Sequence, residues 1–381
     1  MKINRTQIVS KSVVAVIVLV LVAGGLFVFT IESSKSRGLS ANFEQAKELY
    51  RNAQYEEAVE LFKKVYSTDS KSELGLQSLY FISMGNTALD KTSEAEENWE
   101  ELNHKDIKGQ YSDLVLFNRG LLAERKGNDS EAIGLYNDLL SRYRDSQVAD
   151  GTLLRLAKLY EKKKQLKEAK ETLQEIIEMF PNSEQIGEVQ NALGNVNVQL
   201  LFSSMVYPGG SAVYEISSGD TINGIASGLG TTVDLIRKCN NIKRDLIHPG
   251  QRLKVIDGKF SIVIDKSLNT LILKLNGEFF KLYRVGTGKD NSTPVGSFKI
   301  NSKIKEPPWH FRGKVIPFGD PDNLLGTRWM GLDKKGYGIH GTWEPDSVGQ
   351  QSSQGCVRLR NSEVEEIFII VPIGTPVEIV D

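Results

Sequence analysis

The chain has 381 residues, more than one ordinary hydrophobic core accommodates, so two or three domains are expected. Its 47 basic and 48 acidic residues leave no excess positive charge for a nucleic-acid backbone, which excludes nucleic acid as an electrostatic partner. Two cysteines, Cys239 and Cys356, are too few for a disulfide framework, and the four histidines show no HExxH or CxxC company, so no metal or cofactor is expected.

Residues 13–31, VVAVIVLVLVAGGLFVFTI, carry no charge. At about 1.5 Å per residue such a helix spans roughly 28 Å, close to the hydrocarbon thickness of a bilayer. Lys2, Arg5 and Lys11 precede it, and the positive-inside bias leaves residues 1–12 in the cytoplasm. No A-x-A-like cleavage site and no lipobox cysteine stand before the polar stretch ESSKSRGLS. A retained, single-pass transmembrane anchor is therefore expected rather than a cleaved signal peptide, with everything after residue 32 outside the cytoplasm.

From about residue 40 to 205 the chain is helical and repetitive. Ala58, Ala95, Ala132 and Ala169 recur at a spacing of 37, in the phrases QYEEAVELF, KTSEAEENW, GNDSEAIGLY and QLKEAKETL. Phe62, Trp99, Tyr136 and Leu173 follow them by four residues, and the small residues Ala46, Ser83, Gly120 and Ala157 precede them by twelve. Small residues at fixed positions let paired helices approach while bulky ones fill the groove, which is the logic of a helix–turn–helix solenoid. The pattern resembles tetratricopeptide repeats, with a period about three residues longer than their usual one. Such arrays mostly bind proteins, or act as spacers, so protein partners are expected without being specified.

MVYPGGSA, 205–212, reads as a linker. Beyond it, alternation gives a short strand over 213–217, stopped by Gly219-Asp220-Thr221. Asp220 or Thr221 can cap the helix that follows. A second helix contains Val233, Leu235 and Ile236, and Pro249-Gly250 turns the chain into a last strand, QRLKVI. In this strand–helix–helix–strand unit, Gly219-Asp220-Thr221, Ile225-Ala226, Leu235, Asn240 and Pro249-Gly250-Gln251 resemble the LysM module. The resemblance implies binding to N-acetylglucosamine-containing glycan, chiefly peptidoglycan, through the loops after the first strand and before the last, with Gly219, Asp220, Thr221, Ile247 and Pro249 as glycan-binding residues. Cys239, among apolar neighbours, is expected to be a small core residue.

The region 259–381 is strand-rich. FSIVIDKSLNTLILKLNGEFFKLYRVGTG alternates through three runs, broken at residues 266–269 and at Asn276-Gly277, a strong hairpin signal. TPVGSFKI and GTPVEIV read as further strands, and a sandwich- or barrel-like β domain is predicted.

Within it, GIHGTWEPDSVGQQSSQGCVRL holds His340 and Cys356. A thiol with an unperturbed pKa near 8.5 is only a few per cent ionised at neutral pH, and a nearby imidazole can take its proton and later return it to a leaving amine. The intervening loop can fold back to join the two. Small neighbours leave room for substrate and let the backbone N–H groups of Gly355 and Cys356 point at one oxyanion. Arg358 shares the face of Cys356 if this is a strand, and a guanidinium there can hold a carboxylate. On residue types alone, a catalytic pair and two unrelated structural residues both stay open.

The same segment resembles the signature of the L,D-transpeptidase (YkuD-type) catalytic domain, a His-Gly followed by a Ser-x-Gly-Cys-x-Arg block. The likeness extends to TPVGSF (293–298), EPPW (306–309) and NLLGTRWMGL (323–332), in the family's order over about 120 residues. It implies that Cys356 is the nucleophile, that His340 accepts and donates the proton, and that the carbonyl of Gly341 orients the imidazole. Ser353, Gly355 and Arg358 would shape the pocket and hold substrate, and Arg328 would support or bind it. Where the family often has histidine, this chain has Gln354, which hydrogen-bonds but cannot titrate.

The expected fold class is thus multidomain: a cytoplasmic N-terminus (1–12), a transmembrane helix (13–31), an all-α tetratricopeptide-like solenoid (40–205), a small βααβ LysM module (213–257) and a mainly-β catalytic domain (259–381). The expected function is a peptidoglycan L,D-transpeptidase of the bacterial cytoplasmic membrane, facing the periplasm or cell wall. It releases D-alanine from a tetrapeptide stem through a cysteine thioester and forms 3–3 crosslinks. L,D-carboxypeptidase activity, attachment of a protein to the wall, and a non-catalytic wall-binding scaffold are the alternatives. A cysteine protease lacks its families' local signatures.

Overall fold

The computed structural model describes residues 37–207, 209–243 and 246–381. They fall into two compact units, one ending at Thr152 and one comprising Leu153–Asp381.

The first unit is a series of helical hairpins. It contains α1 (37–51), α2 (Tyr55–Thr68), α3 (Glu73–Ala88), α4 (Thr92–Lys105), α5 (Ser112–Arg125) and α6 (Asp129–Arg142). The second helix of each pair begins at 55, 92 and 129, the spacing of the sequence repeat. Ala58, Ala95, Ala132, Phe62, Trp99 and Tyr136 are all fully buried, so the repeated positions form the packing seam. At Gly120 a Cβ would fall 2.3 Å from the Tyr136 ring, and α5 meets α6 there through bare backbone. The turn inside each pair needs one left-handed residue, and Ala53, Asp90, Gly127 and Lys164 supply it with φ of 58°, 55°, 77° and 61°. Only one of the four is glycine.

The second unit takes in the end of α7 (Ala149–Lys162), then α8 (Leu166–Met179) and α9 (Ile186–Phe202). Next come β1 (Ser211–Glu215), α10 (Ile222–Leu229), α11 (Val233–Cys239) and β2 (Arg252–Ile256), the strands pairing antiparallel with Ser211 opposite Ile256. The threonines start the helices: Thr221 Oγ1 accepts from Gly224 N–H at 3.1 Å, and Thr232 Oγ1 from Leu235 N–H at 2.9 Å. The Asn240 side chain substitutes for a strand partner, accepting from Lys254 N–H and donating to its carbonyl at 2.7 and 2.8 Å. Cys239 is buried here, and burial pushes its thiol up to about 11.

The last part contains β3 (Phe260–Asp265), β4 (Thr270–Leu275), β5 (Glu278–Arg284), β6 (Thr287–Gly288), β7 (Gly296–Lys305), β8 (Trp309–Phe311), β9 (Lys314–Ile316), β10 (Arg328–Leu332), β11 (Gly338–His340), β12 (Gln351–Ser353), β13 (Val357–Arg358), α12 (Asn361–Ile370) and β14 (Pro376–Val380). Eight strands join in the order β13-β11-β10-β7-β14-β3-β4-β5, while β6 with β12 and β8 with β9 make small separate pairs. The core of Ile262, Ile264, Leu271, Leu273, Met330 and Ile339 is completed by Val364, Ile367 and Phe368 of α12. Strand patterning anticipates β3–β5 closely, but not α12, whose apolar positions at i, i+3 and i+4 carry the helical signal.

These parts are tied together by polar contacts at helix ends. Lys254 Nζ donates to the carbonyls of Leu200, Leu201 and Ser203 at 2.6, 3.1 and 2.8 Å, closing the C-terminus of α9. Lys303 Nζ does the same for α12, reaching Phe368 and Val371 at 2.5 and 2.7 Å. Asn197 of α9 donates to the Phe280 carbonyl of β5 at 2.8 Å.

Among the described residues no helix is long and apolar enough to cross a membrane. α9, for example, has 17 residues and is interrupted by Glu188, Asn191 and Gln199, against the roughly 20 apolar residues a span needs. The expected transmembrane stretch 13–31, like the cytoplasmic 1–12, lies outside the described residues. The fold class is corrected accordingly for the described residues: helical repeats, βααβ module and mainly-β domain, with no membrane-crossing helix among them.

Candidate active site

β11 sits between β10 and β13. Trp329 lies opposite His340 in the antiparallel β10–β11 pair, and His340 lies beside Arg358 in the parallel β11–β13 pair. Two parallel strands need a crossover, and the polar loop 341–356 provides it, returning the chain so that Cys356 enters β13. The loop foreseen as folding back does so because β11 and β13 share one direction.

The result is a cleft of about 370 Å³ lined by His340, Cys356, Arg358, Ser353 and Gln354, with Trp309, Phe311, Leu325 and Trp329 as its apolar walls. His340 is buried, and its Nδ1 lies 2.6 Å from the Gly341 carbonyl oxygen. A carbonyl only accepts, so in the neutral ring Nδ1 carries the hydrogen and Nε2 the lone pair. The Trp329 ring stacks on the imidazole at 5.7 Å between centroids. Burial holds the His340 pKa down to about 4; Arg358 pushes the same way, while the carbonyls of Gly341 and Leu325 oppose it.

The Cys356 thiol is displaced in the other direction. Burial raises it above its usual value, although the Gly338 backbone N–H and the Arg358 guanidinium favour the thiolate. Its Sγ lies 3.6 Å from the Gly336 carbonyl. Both partners therefore rest neutral.

Ser353 clamps the cysteine loop. Its buried hydroxyl donates to the Cys356 carbonyl at 2.6 Å and accepts from Gly355 N–H at 3.0 Å. This corrects one expectation, since the Gly355 N–H is spent on Ser353 and does not point at an oxyanion. Glycine is needed at 355 for space as well as conformation: φ is 121°, and a Cβ would fall 2.8 Å from the Tyr337 ring.

Arg358 is 8% exposed, and its Nη1 lies 3.4 Å from Glu344 Oε2. Its buried Nε has no hydrogen-bond partner. A buried guanidinium donor without a partner is costly, and Arg358 is held here beside the cleft it helps to line.

The L,D-transpeptidase catalytic domain family matches residues 259–379, the LysM domain 214–255, and the tetratricopeptide repeat 114–146 and 152–183. The putative L,D-transpeptidase YqjB of Bacillus subtilis is 43% identical over 126 residues, 32% of this chain and 70% of that protein. The putative L,D-transpeptidase YkuD of the same organism is 33% identical over 174 residues, 44% of this chain and 97% of that protein. The chain belongs to the L,D-transpeptidase family. A solved L,D-transpeptidase from Mycobacterium smegmatis shares 22% identity over 35% of this chain and 64% of its own, with a TM-score of 0.29.

In this L,D-transpeptidase not every anticipated residue reaches the cleft. Arg328 precedes Trp329 in β10, so alternation turns it to the other face of the sheet, where it donates to its neighbour's carbonyl, Thr327 O, at 2.6 Å and lies 3.7 Å from Glu365. Missed by sequence reasoning were the aromatic walls. Trp309 and Phe311 stack at 4.5 Å on the β8–β9 hairpin, and EPPW marked the start of that hairpin without saying what it faced.

In the LysM module the two loops expected to bind glycan adjoin. Ile216 N–H donates to the Gln251 carbonyl at 2.9 Å, and Gly250 N–H to the Ile216 carbonyl at 2.8 Å. Gly219 and Pro249 are exposed on them and Ile247 is half-buried. Asp220 is engaged internally by Tyr214 Oη and Ser217 N–H at 3.0 and 2.7 Å, and Thr221 by its helix cap, so these side chains shape the turn.

Proposed function

We propose that this L,D-transpeptidase works on peptidoglycan outside the cytoplasm with Cys356 as nucleophile and His340 as its base. What carries the reading is the tautomer of His340: with Nδ1 bound to the Gly341 carbonyl, Nε2 is the nitrogen free to take a proton in the cleft that Cys356 also lines. Sγ attacks the carbonyl between the L-centre of a stem diamino acid and the terminal D-alanine as its proton passes to Nε2. The C–N bond then breaks, His340 returns the proton to the departing D-alanine amine, and a thioester remains. An amine of a second stem attacks the thioester, losing its proton to His340, and the sulfur leaves as the thiol. The product is a 3–3 crosslink.

Around this centre, Arg358 supports recognition of a stem carboxylate from its place in the cleft lining, and Ser353 fixes the carbonyl of Cys356. The LysM module, holding glycan through its paired loops, raises the effective concentration of a weakly bound polymer at the cleft. The helical repeats offer a surface for protein partners.

Intact-protein mass spectrometry with a disaccharide-tetrapeptide tests this. The expected adduct is the substrate less D-alanine on Cys356, followed by a crosslinked dimer; a trimmed tripeptide alone would mean that water is the acceptor. Cys356→Ala should form no adduct, and turnover by that variant at the wild-type rate would overturn the assignment.

A further inference from the structure

Beside the catalytic cleft stands an aromatic pair that the thioester chemistry does not use. Trp343, in the loop between β11 and β12, is 50% exposed, and among the exposed large apolar side chains of the described residues it is the only aromatic one. Tryptophan is highly buried on average, so an indole held half in water stands apart from the packing of the core. Its ring lies 6.1 Å from that of the half-buried Phe318, inclined at 47°.

Both rings are anchored to the rim of the cleft. On one side the Gly341 carbonyl holds His340 Nδ1, and the buried Thr342 accepts at its hydroxyl from Glu344 N–H at 3.1 Å. Glu344 Oε2 in turn lies 3.4 Å from Arg358 Nη1. Trp343 is thereby pinned between segments that reach the cleft lining. On the other side Asn323 is buried, and its Nδ2 lies 2.9, 3.2 and 3.1 Å from the carbonyl oxygens of Pro307, Ile316 and Pro317. This ties the Phe318 turn to Pro307, Leu324 and Leu325, which line the cleft. Trp343 and Phe318 themselves stand outside that lining.

Chain geometry bounds the distance to the chemistry. Trp343 follows His340 by three residues, so the two Cα atoms are at most about 11 Å apart. In the proposed substrate the attacked carbonyl belongs to the third stem residue, and three extended residues also reach about 11 Å. The sugar that carries the stem therefore comes within reach of the pair while the carbonyl meets Cys356. A pyranose suits such a surface, because its C–H groups offer partial positive charge to the negative face of an aromatic ring while its hydroxyls stay in water.

We propose that Trp343, with Phe318 beside it, is a stacking platform for the N-acetylated amino sugar that bears the stem peptide. The proposal deepens the thioester reading and takes its substrate from it. Such a platform selects stems still attached to glycan over loose peptides, and does so outside the cleft.

Two measurements on the full chain test this. With 5-fluorotryptophan incorporated, the fluorine NMR signal of Trp343, assigned by its loss in Trp343→Phe, should shift on titration with the disaccharide alone. In steady-state turnover, the wild-type KM should be about tenfold lower for the disaccharide-tetrapeptide than for the bare tetrapeptide. Trp343→Ala should bring that ratio close to one, and Trp343→Phe should keep most of it. A ratio that survives Trp343→Ala would belong to the LysM loops and would overturn the proposal, as would equal KM values in the wild type. So would a Trp343 signal that ignores the disaccharide, or one that moves only with protein concentration, the mark of a second copy on this face. The titration needs no reaction at Cys356: a shifted signal without a Cys356 adduct would sink the thioester mechanism and leave the platform standing.

Discussion

Alkylation of Cys356 as a function of pH tests the electrostatics of the active site most directly. Burial lifts the thiol above its usual 9.0 and drops the His340 imidazole to about 4. At pH 7 about 1% or less of the cysteine is then thiolate and about 0.1% of the histidine imidazolium. Moving the proton from sulfur to nitrogen before the carbonyl is attacked is therefore uphill, since burial opposes both charges. The resting enzyme therefore holds a neutral pair, and the proton moves only as the carbonyl is attacked. Iodoacetamide modification of Cys356, followed by peptide mass mapping from pH 5 to 10, should accelerate about tenfold per unit until the pH passes 9. The imidazole should titrate near pH 4 in a histidine-selective NMR experiment. A rate plateau between pH 5 and 8 would mean a stable thiolate–imidazolium pair, and would refute this account of the site.

Ser353→Ala strips partners from the Gly355 N–H and the Cys356 carbonyl, at about 1–3 kcal/mol for each buried orphan; acylation measured in a single turnover should fall at least about tenfold, and an unchanged rate would show that the clamp is dispensable. Lys254→Met leaves three carbonyls at the end of α9 without their donor and should cost about 3 kcal/mol in denaturant unfolding of the second unit, at roughly 1 kcal/mol each; an unmoved midpoint would contradict this. Lys164→Gly relieves a left-handed lysine at the turn position that Gly127 occupies in the preceding repeat, and should stabilise by about 0.5 kcal/mol. Loss of stability in a thermal melt would show that the lysine side chain outweighs its backbone strain.

Local spacing made much of this molecule legible. The 37-residue repeat announced the helix pairs because packing needs the same small and bulky residues at the same heights. Alternation around Asn276-Gly277 announced β4 and β5 because a two-residue turn fixes their register. Residues whose role depends on a distant partner were less readable. Nothing near Arg328 says that β10 pairs with β7 in the register that turns it away from the cleft, since Lys305 lies far back in the chain. The Gly355 N–H looked available because the serine that takes it is two residues away and hydroxyl orientation leaves no trace in sequence. The helix α12 was hidden by its brevity and by the strands around it.

The position of α9 bears on how this enzyme can be divided. β5 ends the eight-stranded sheet, and an uncovered edge of that kind invites pairing with foreign chains. α9 lies along it, while Val198 and Leu201 reach into the same core as Phe260 and Phe280. Truncation at residue 205 would discard a Val and a Leu worth about 4 kcal/mol of apolar contact and bare the Phe280 carbonyl. The smallest well-behaved fragment thus begins before residue 186, and the boundary suggested by the glycine-rich 205–212 stretch is the wrong place for the scissors.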